Sequence, residues 1–301
     1  MKKITALFLI TLLFAQEPIT PLPKSVPIDI QKAKLGEELF SDPILSRDNT
    51  VSCASCHILS SGGDDNLQFS FGIEGKRGDI NAPTVYNAFF NHLQFWDGRA
   101  KDLVEQAKGP ILNPIEMGNS AKEVVATLKG SQYNAKFKKI FRDGVTFDNI
   151  AEVIAEFEKR LITPNAPFDR YLQGEEDAIS SIQKEGYALF KSKGCISCHH
   201  GMNIGGSHFN KFGVVTEIEQ SHLGRYNVTK KERDRYYFKV PSLRNITLTA
   251  PYFHDGRTYE LKKVVKIMAK HQLGRKMSEE EIDKIVAFLH SLNGEIPKGG
   301  K

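Results

Sequence analysis

The same short cysteine–histidine pattern occurs twice, and it constrains the fold more than any other feature of the sequence. It reads Cys53-Ala54-Ser55-Cys56-His57 in the first half and Cys195-Ile196-Ser197-Cys198-His199 in the second. In a C-x-x-C-H segment, two thiols form thioethers with the vinyl groups of one haem and the adjacent histidine ligates its iron. The two segments use all four cysteines, so no disulfide framework is expected. We predict two covalently bound haem c groups.

The axial ligands and anchors follow directly from these segments. The first haem site has Cys53 and Cys56 as covalent anchors and His57 as axial ligand. The second haem site has Cys195 and Cys198 as anchors and His199 as axial ligand. The alternative uses of the four cysteines are a zinc site or two disulfides. Both are disfavoured because a C-x-x-C-H segment rarely arises by chance, and this chain contains two.

The chain also resembles itself. Asn81–Leu103 aligns without gaps with Lys239–Leu261, at an offset of 239 − 81 = 158. Upstream of the two motifs, Gly36–Phe40 mirrors Gly186–Phe190. The motifs themselves are 195 − 53 = 142 residues apart, so the second copy holds 158 − 142 = 16 additional residues, somewhere within 200–238. The two halves are therefore predicted to be copies with one haem each.

Apolar residues recur at helical spacing, and alternating strand patterns of useful length are absent. We predict a mainly α fold: two cytochrome c-like haem domains with long loops, related by internal duplication. Helices are expected at residues 30–39, 146–161, 179–190 and 261–269, and after the capping box at Ser278–Glu281.

The N-terminus has the features of an export signal. Lys2 and Lys3 precede an apolar run that ends at Ala15, as in secretory signal peptides. We predict a signal peptide over residues 1–15, an N-terminal domain over 16–163 and a C-terminal domain over 164–301, and hence a periplasmic protein. An uncleaved membrane-surface anchor is the alternative for the first segment.

The charge balance indicates no nucleic-acid partner. Lysine and arginine exceed aspartate and glutamate by 41 − 36 = +5, and two of those lysines belong to the predicted signal peptide. With 40% hydrophobic and 26% charged residues, the composition is that of a globular protein. No membrane span is expected in the mature chain.

The sixth ligand is predicted to differ between the two haems. Met268 lies in an apolar helical segment downstream of His199, and a His/Met pair is typical of electron-transfer cytochromes c. The equivalent position in the first copy, 268 − 158 = 110, is Pro110. Proline cannot bind iron, so the first haem is expected to keep an accessible distal side. Met268 as a core methionine is the alternative interpretation.

These residues resemble the bacterial di-haem cytochrome c peroxidases over nearly all of the mature chain. The most specific runs are Phe95–Arg99, Asn113–Gly118 and Ala250–Gly256. The resemblance implies that the N-terminal haem reduces hydrogen peroxide to water. It also implies that the C-terminal haem, ligated by His199 and Met268, receives electrons from a small cytochrome c or copper protein (cupredoxin).

The same resemblance assigns further residues. It implies that Glu116 is the catalytic acid–base group and that Gln106 lines the same distal pocket. Trp96, the only tryptophan, matches a residue between the haems that takes part in electron transfer. Calcium is implied at Asn81, Thr249 and Pro251, through one side-chain oxygen and two backbone carbonyls. Homodimers are common in the family, so a homodimer is expected by analogy.

One position departs from the family pattern. Many members carry a histidine that caps the peroxidatic iron in the oxidised enzyme, and here Ile73 stands in its place. The first haem is therefore predicted not to be bis-histidine capped, so that peroxide binding would not need prior reduction. His92 is the nearest substitute, but it is expected to lie at the surface or between the domains.

Two other functions remain open at this point. A di-haem electron carrier would have two six-coordinate haems and no peroxide turnover, which Pro110, Glu116 and Gln106 disfavour. An oxidase that modifies a partner protein, as in the related quinone-cofactor-maturing enzymes, would have a tyrosine on the second haem. Met268 disfavours that alternative.

Overall fold

The computed structural model describes residues 17–297. The predicted signal peptide, residues 1–15, lies outside them. Within this range the chain is mainly helical, as predicted, with a single pair of short strands.

Eleven α-helices and two strands follow one another in the described part of the chain. The helices are α1 Ile30–Ser41, α2 Cys53–Cys56, α3 Leu103–Leu112, α4 Ala121–Lys129, α5 Tyr133–Ile140, α6 Phe147–Glu158, α7 Pro167–Leu172, α8 Ser181–Ser192, α9 Tyr226–Thr229, α10 Leu261–Ile267 and α11 Glu279–His290. Strands β1 Phe209–Lys211 and β2 Tyr237–Lys239 pair antiparallel. Both strands lie in or next to the region that holds the additional residues of the second copy.

The helix starts follow the capping signals of the sequence. Ser278 forms the predicted capping box with Glu281 at the start of α11, and Thr146 caps α6, which begins where a helix was predicted. The ends are less regular. Helix α6 ends at Glu158, three residues before the predicted end, and α10 ends at Ile267, where a π-helical turn over Met268–Gln272 replaces the last α-turn.

Each copy is built on one closely packed helix pair, and a glycine makes each pair possible. Helix α1 packs against α6, and α8 packs against α11. A Cβ atom on Gly36 would lie 1.8 Å from the carbonyl oxygen of Val153, and one on Gly186 would lie 1.9 Å from that of Lys284. Only glycine permits so close a backbone approach. This contact explains why the first residue of the Gly-x-x-Leu-Phe pattern is glycine in both copies.

The two copies meet at a shared threonine. Both Asn87 and Asn245 donate a hydrogen bond from Nδ2 to the hydroxyl oxygen of Thr163, each at 2.8 Å. The two asparagines are equivalent in the repeat and both adopt the left-handed backbone region, with φ of 60° and 59°. The repeat therefore persists at the level of backbone conformation. Thr163 itself is fully buried.

Two large hydrophobic clusters and one small cluster of Ala88, Leu103 and Ala155 form the core of residues 17–297. One large cluster draws on residues between Leu35 and Leu161, and the other on Ile19 and residues between Phe168 and Leu292. Among residues 17–297, no helix combines the length and apolar character needed to cross a bilayer.

Candidate haem sites and the region between them

The first C-x-x-C-H segment folds as a single helical turn. Ser52 and Ser55 form a capping box at the start of α2, and His57 ends the turn with its N–H donating to the carbonyl oxygen of Cys53 at 3.0 Å. The His57 Nδ1 atom lies 3.1 Å from the carbonyl oxygen of Gly63. That contact orients the imidazole and leaves Nε2 free to bind a metal.

The second segment forms a 3₁₀ turn over Cys195–Ser197, and its histidine makes the same two kinds of contact. The His199 N–H donates to the Cys195 carbonyl oxygen at 3.0 Å, and Nδ1 of His199 lies 3.3 Å from the carbonyl oxygen of Ile204. Burial lowers the pKa of His199 to about 4, and burial also lowers the pKa of His57. Both imidazoles are therefore neutral at physiological pH, which is the form that ligates iron.

A phenylalanine from the repeated glycine-containing helix lies beside each histidine. The ring centroids of Phe40 and His57 are 6.5 Å apart, and those of Phe190 and His199 are 6.4 Å apart. The two haem sites therefore have matching proximal sides.

A cavity of about 230 Å³ adjoins the second site. His199 and Met268 both line it, so the structure brings the two predicted ligands of the second haem to one cavity. Met268 begins the π-helical turn that follows α10. Met277 lines the same cavity, so two methionine residues contribute to its walls.

The residues at both motifs fit a covalently bound haem. None of the four cysteines forms a disulfide, so all are available for thioether bonds. Each adjacent histidine has its Nδ1 bound to a backbone carbonyl and its Nε2 free. Most of the residues around the cavity at the second site are aromatic or aliphatic, as an apolar macrocycle requires.

The first copy has a different distal segment. Helix α3 is equivalent to α10, because 103 + 158 = 261, and it contains Pro110 at the position of Met268. Gln106 lies one helical turn before Pro110 and is half-buried. After α3 the chain folds back, with Met117 N–H donating to the Pro110 carbonyl oxygen at 3.1 Å.

Glu116 lies in this returning segment, with its carboxylate near the first motif. Its Oε1 accepts a hydrogen bond from Asn113 Nδ2 at 2.6 Å. Burial raises the pKa of the Glu116 carboxyl above its usual value, and the contacts with Asn113 and Arg99 limit that rise. Burial raises the pKa of the Cys53 thiol to about 12, and nearby acidic groups including Glu116 add to the rise. Glu116 is thus a partly desolvated carboxylate beside the first haem site.

Ile73 fixes the loop that lies against Glu116. Its side chain is fully buried in the first hydrophobic cluster, and its N–H donates to the Glu116 carbonyl oxygen at 2.8 Å. His92, by contrast, is exposed, and its N–H donates to the Gly206 carbonyl oxygen at 2.8 Å. It lies between the two copies at the surface, where it was expected.

Trp96 and His254 meet between the copies. Their ring centroids are 6.2 Å apart in an edge-to-face arrangement, and Trp96 Nε1 donates to the Asn81 carbonyl oxygen at 2.9 Å. The Asn81 N–H donates to the His254 carbonyl oxygen, and the Lys239 N–H donates to that of Trp96, both at 2.8 Å. These two bonds are equivalent under the repeat, so the region between the sites has an approximate twofold symmetry.

Three oxygen atoms of residues at this cavity accept no hydrogen bond from residues 17–297. They are Asn81 Oδ1 and the backbone carbonyl oxygens of Thr249 and Pro251, and all three residues line the cavity. The Asn81 Nδ2 group donates to the carbonyl oxygen of Leu67 at 2.9 Å, which leaves its Oδ1 available. No group of three or more His, Cys, Asp or Glu residues suited to a metal ion occurs in the described part of the chain.

Comparison with known proteins identifies the family. The family model described as di-haem cytochrome c peroxidase matches residues 30–177, and the cytochrome c model matches residues 183–293. The cytochrome c551 peroxidase of Nitrosomonas europaea is 49% identical over 94% of this chain and 86% of its own length. The chain belongs to the di-haem cytochrome c peroxidase family.

Other members and relatives cover most of the chain as well. Cytochrome c peroxidase Ccp of Escherichia coli is 50% identical over 92% of this chain, which spans only 61% of that protein's length. The methylamine utilization protein MauG of Methylorubrum extorquens is 34% identical over 94% of this chain and 84% of its own length. Among solved structures, a MauG-like protein associated with microbial copper homeostasis superposes with a TM-score of 0.80, at 26% identity, over 92% of this chain and 93% of its own.

Family membership confirms the predicted peroxidase class, the haem c cofactors and the duplicated, mainly helical fold.

The sequence analysis did not identify Lys239 as a candidate functional residue. Lys239 is buried beside the second site, although its repeat equivalent is the neutral Asn81. The one sequence signal for Lys239 was its alignment with an uncharged asparagine in the other copy. The hydrophobic periodicity of the sequence did not predict its burial.

Proposed function

We propose that this protein is a periplasmic peroxidase that reduces hydrogen peroxide to water with electrons from a small cytochrome c or a cupredoxin. The overall reaction takes one peroxide, two protons and two electrons to two waters. The observation that carries the proposal is the difference between the two copies. Met268 lines the cavity of His199, whereas the first copy has Pro110 at the equivalent position and the Glu116 carboxylate beside its motif.

The haem iron, when bound, would supply the site where peroxide coordinates and accepts electrons. Cys53 and Cys56 would anchor the first haem, with His57 as its proximal ligand. Cys195 and Cys198 would anchor the second, with His199 and Met268 as its axial ligands.

Glu116 would move the proton that peroxide cleavage requires. Its carboxylate would accept a proton from one peroxide oxygen and return it to the other, which leaves as water. Burial and the Asn113 hydrogen bond hold this carboxylate in place. Gln106, which is half-buried on α3, would border the same pocket and help to position the peroxide.

Trp96 would lie on the route of electrons from the second haem to the first. Its contact with His254 and the backbone bond from Lys239 to its carbonyl connect the two copies at this point. Calcium would bind Asn81 Oδ1 and the carbonyl oxygens of Thr249 and Pro251, with water completing an all-oxygen shell. The contacts of Trp96 with His254 and Lys239 support a role of this region in joining the two sites.

The substitution Glu116→Gln tests the proposal. It keeps the side-chain volume and removes the base, so kcat/KM for hydrogen peroxide should fall by about 10²- to 10⁴-fold. Oxidation of a reduced small cytochrome c by peroxide, followed by absorbance, measures the loss. Reduction of the second haem by the same donor should remain unchanged.

Glu175→Gln provides the matched control, because Glu175 is exposed and pairs only with the exposed part of Arg170. It should retain wild-type activity. Glu116 must be ionised to act as a base, and burial raises its pKa above the usual value. The rate of peroxide turnover should therefore decrease as the pH falls below this raised pKa. That acidic limb should be absent from the residual activity of Glu116→Gln. Wild-type turnover by Glu116→Gln, or no peroxide turnover by the native protein, would contradict the proposal.

A further inference from the structure

Lys239 is a buried cation for which the described chain supplies no anion. The residue is 8% exposed and lines the same cavity as His199 and Met268. Among residues 17–297, no carboxylate forms an ion pair with it and its Nζ atom has no hydrogen-bond acceptor. Of the described residues that line the cavity, only Asp64 is acidic, and it makes no contribution to the pKa of Lys239.

An unpaired ammonium in such a place is costly. Lysine is almost never fully buried unless it is paired, because desolvation of the charge is not repaid. Burial lowers the pKa of Lys239 to about 8, which reflects this cost. An anion bound in the cavity would offset this cost.

The backbone around Lys239 is firmly held. The residue ends β2 and pairs with Phe209 of β1, and its N–H donates to the Trp96 carbonyl oxygen at 2.8 Å. The side chain is thus directed by a paired strand rather than by a loose loop. Its equivalent in the first copy is Asn81, since 239 − 158 = 81, so the charge belongs to one copy only.

The cofactor of the second site itself brings anions, because haem c carries two propionate carboxylates. We propose that Lys239 binds a propionate of the second haem and raises the reduction potential of that haem. This inference rests on haem attachment at Cys195 and Cys198 and not on the peroxidase reaction.

The consequence for the potential follows from charge. Reduction adds one negative charge to the haem, and a nearby buried cation stabilises the reduced form more than the oxidised form. Because the first copy has a neutral asparagine at the equivalent position, this contribution would favour electron entry at the second haem.

The experiment compares Lys239→Met with the wild-type protein by spectroelectrochemical titration of each haem, in the absence of peroxide. The midpoint potential of the second haem should fall by the equivalent of about a tenfold change in the ratio of reduced to oxidised haem, or about 59 mV for a one-electron couple. The propionate bending band in the resonance Raman spectrum should shift as well. Lys239→Arg, which keeps the charge, should retain most of the wild-type potential.

Lys263→Met is the matched control, because it removes the same charge from an exposed position on α10. It should leave both potentials unchanged. If Lys239→Met does not take up haem, Lys239→Gln removes the charge while keeping a hydrogen-bond donor, and it is titrated in the same way. An unchanged potential of the second haem in a fully haem-loaded variant, or a shift confined to the first haem, would overturn the proposal. Failure of the peroxidase reaction would not affect this result, since no peroxide is present.

Discussion

At the scale of single residues, Ile73 is the position at which this chain departs from the pattern of the family it resembles. A histidine at this position would have a side chain that is able to bind iron. Here it is an apolar group, fully buried in the first hydrophobic cluster, and its N–H is bonded to the Glu116 carbonyl oxygen. The loop is therefore held by packing rather than by a metal bond, and it holds Glu116 beside the first haem site.

Truncation of this side chain tests that interpretation. We expect Ile73→Ala to lower the free energy of unfolding by about 2–5 kcal/mol, because it leaves a cavity in a packed core. Ile73→Val should cost only about 0.5–1.5 kcal/mol. Urea denaturation followed by circular dichroism measures both values. A loss below about 1 kcal/mol for Ile73→Ala would show that the loop is not anchored by this residue.

At the scale of secondary structure, the predictions succeeded where local signals decide the outcome. The start of α11 was identified from the capping box of Ser278 and Glu281, and the start of α6 was identified from the helical spacing of its apolar residues. Helix α3 was not predicted, since Pro110 within it hides its periodicity. Helix α4 was also missed, although Ser120 and Glu123 carry a capping signal.

The helix pairs make a second prediction at this scale. A methyl group on Gly186 would lie 1.9 Å from the Lys284 carbonyl oxygen, so Gly186→Ala must separate α8 from α11. We expect a loss of about 3 kcal/mol in the free energy of unfolding, at the upper end of typical overpacking costs. Chemical denaturation of the haem-loaded protein gives the value.

Gly130→Ala serves as the control for this substitution. Gly130 ends α4 with a negative φ of −80°, and a Cβ atom at this position would meet no other atom closer than 3.5 Å. Its stability should stay within about 0.5 kcal/mol of the wild type. Equal stability of Gly186→Ala and Gly130→Ala would mean that the helix pair tolerates separation.

At the scale of the whole molecule, the sequence predicted the duplication but not the contacts between the two copies. Repeated runs revealed the two copies, because equivalent backbone conformations need equivalent residues. The shared Thr163, the Trp96–His254 contact and the burial of Lys239 depend on how the copies meet. No local pattern reports such long-range contacts. For the same reason, the roles of Glu116 and the calcium-site residues came from resemblance and remain predictions.

The proposed calcium site joins residues from both copies, so its occupancy should stabilise the whole molecule. Removal of calcium with EGTA should lower Tm, and added Ca²⁺ but not Mg²⁺ should restore it, because Ca²⁺ accepts neutral carbonyl oxygens in a flexible geometry, whereas Mg²⁺ demands near-ideal octahedral geometry and loses its water reluctantly. At a calcium concentration about 100 times Kd the expected stabilisation is about 2.7 kcal/mol. Differential scanning calorimetry measures the shift.

The Asn81→Ala variant should lose this response, whereas Asn227→Ala, at an exposed position, should keep it. A Tm that is independent of calcium in the wild-type protein would exclude the site.

The central claim is that the two haems have unequal distal sides, and the electron paramagnetic resonance and near-infrared spectra of the fully oxidised protein test it most directly. We predict one low-spin haem with methionine ligation, which Met268→Leu abolishes and Met277→Leu retains, and one haem without a second histidine ligand. A bis-histidine signal from the first haem, or the absence of sulfur ligation from both, would contradict the account.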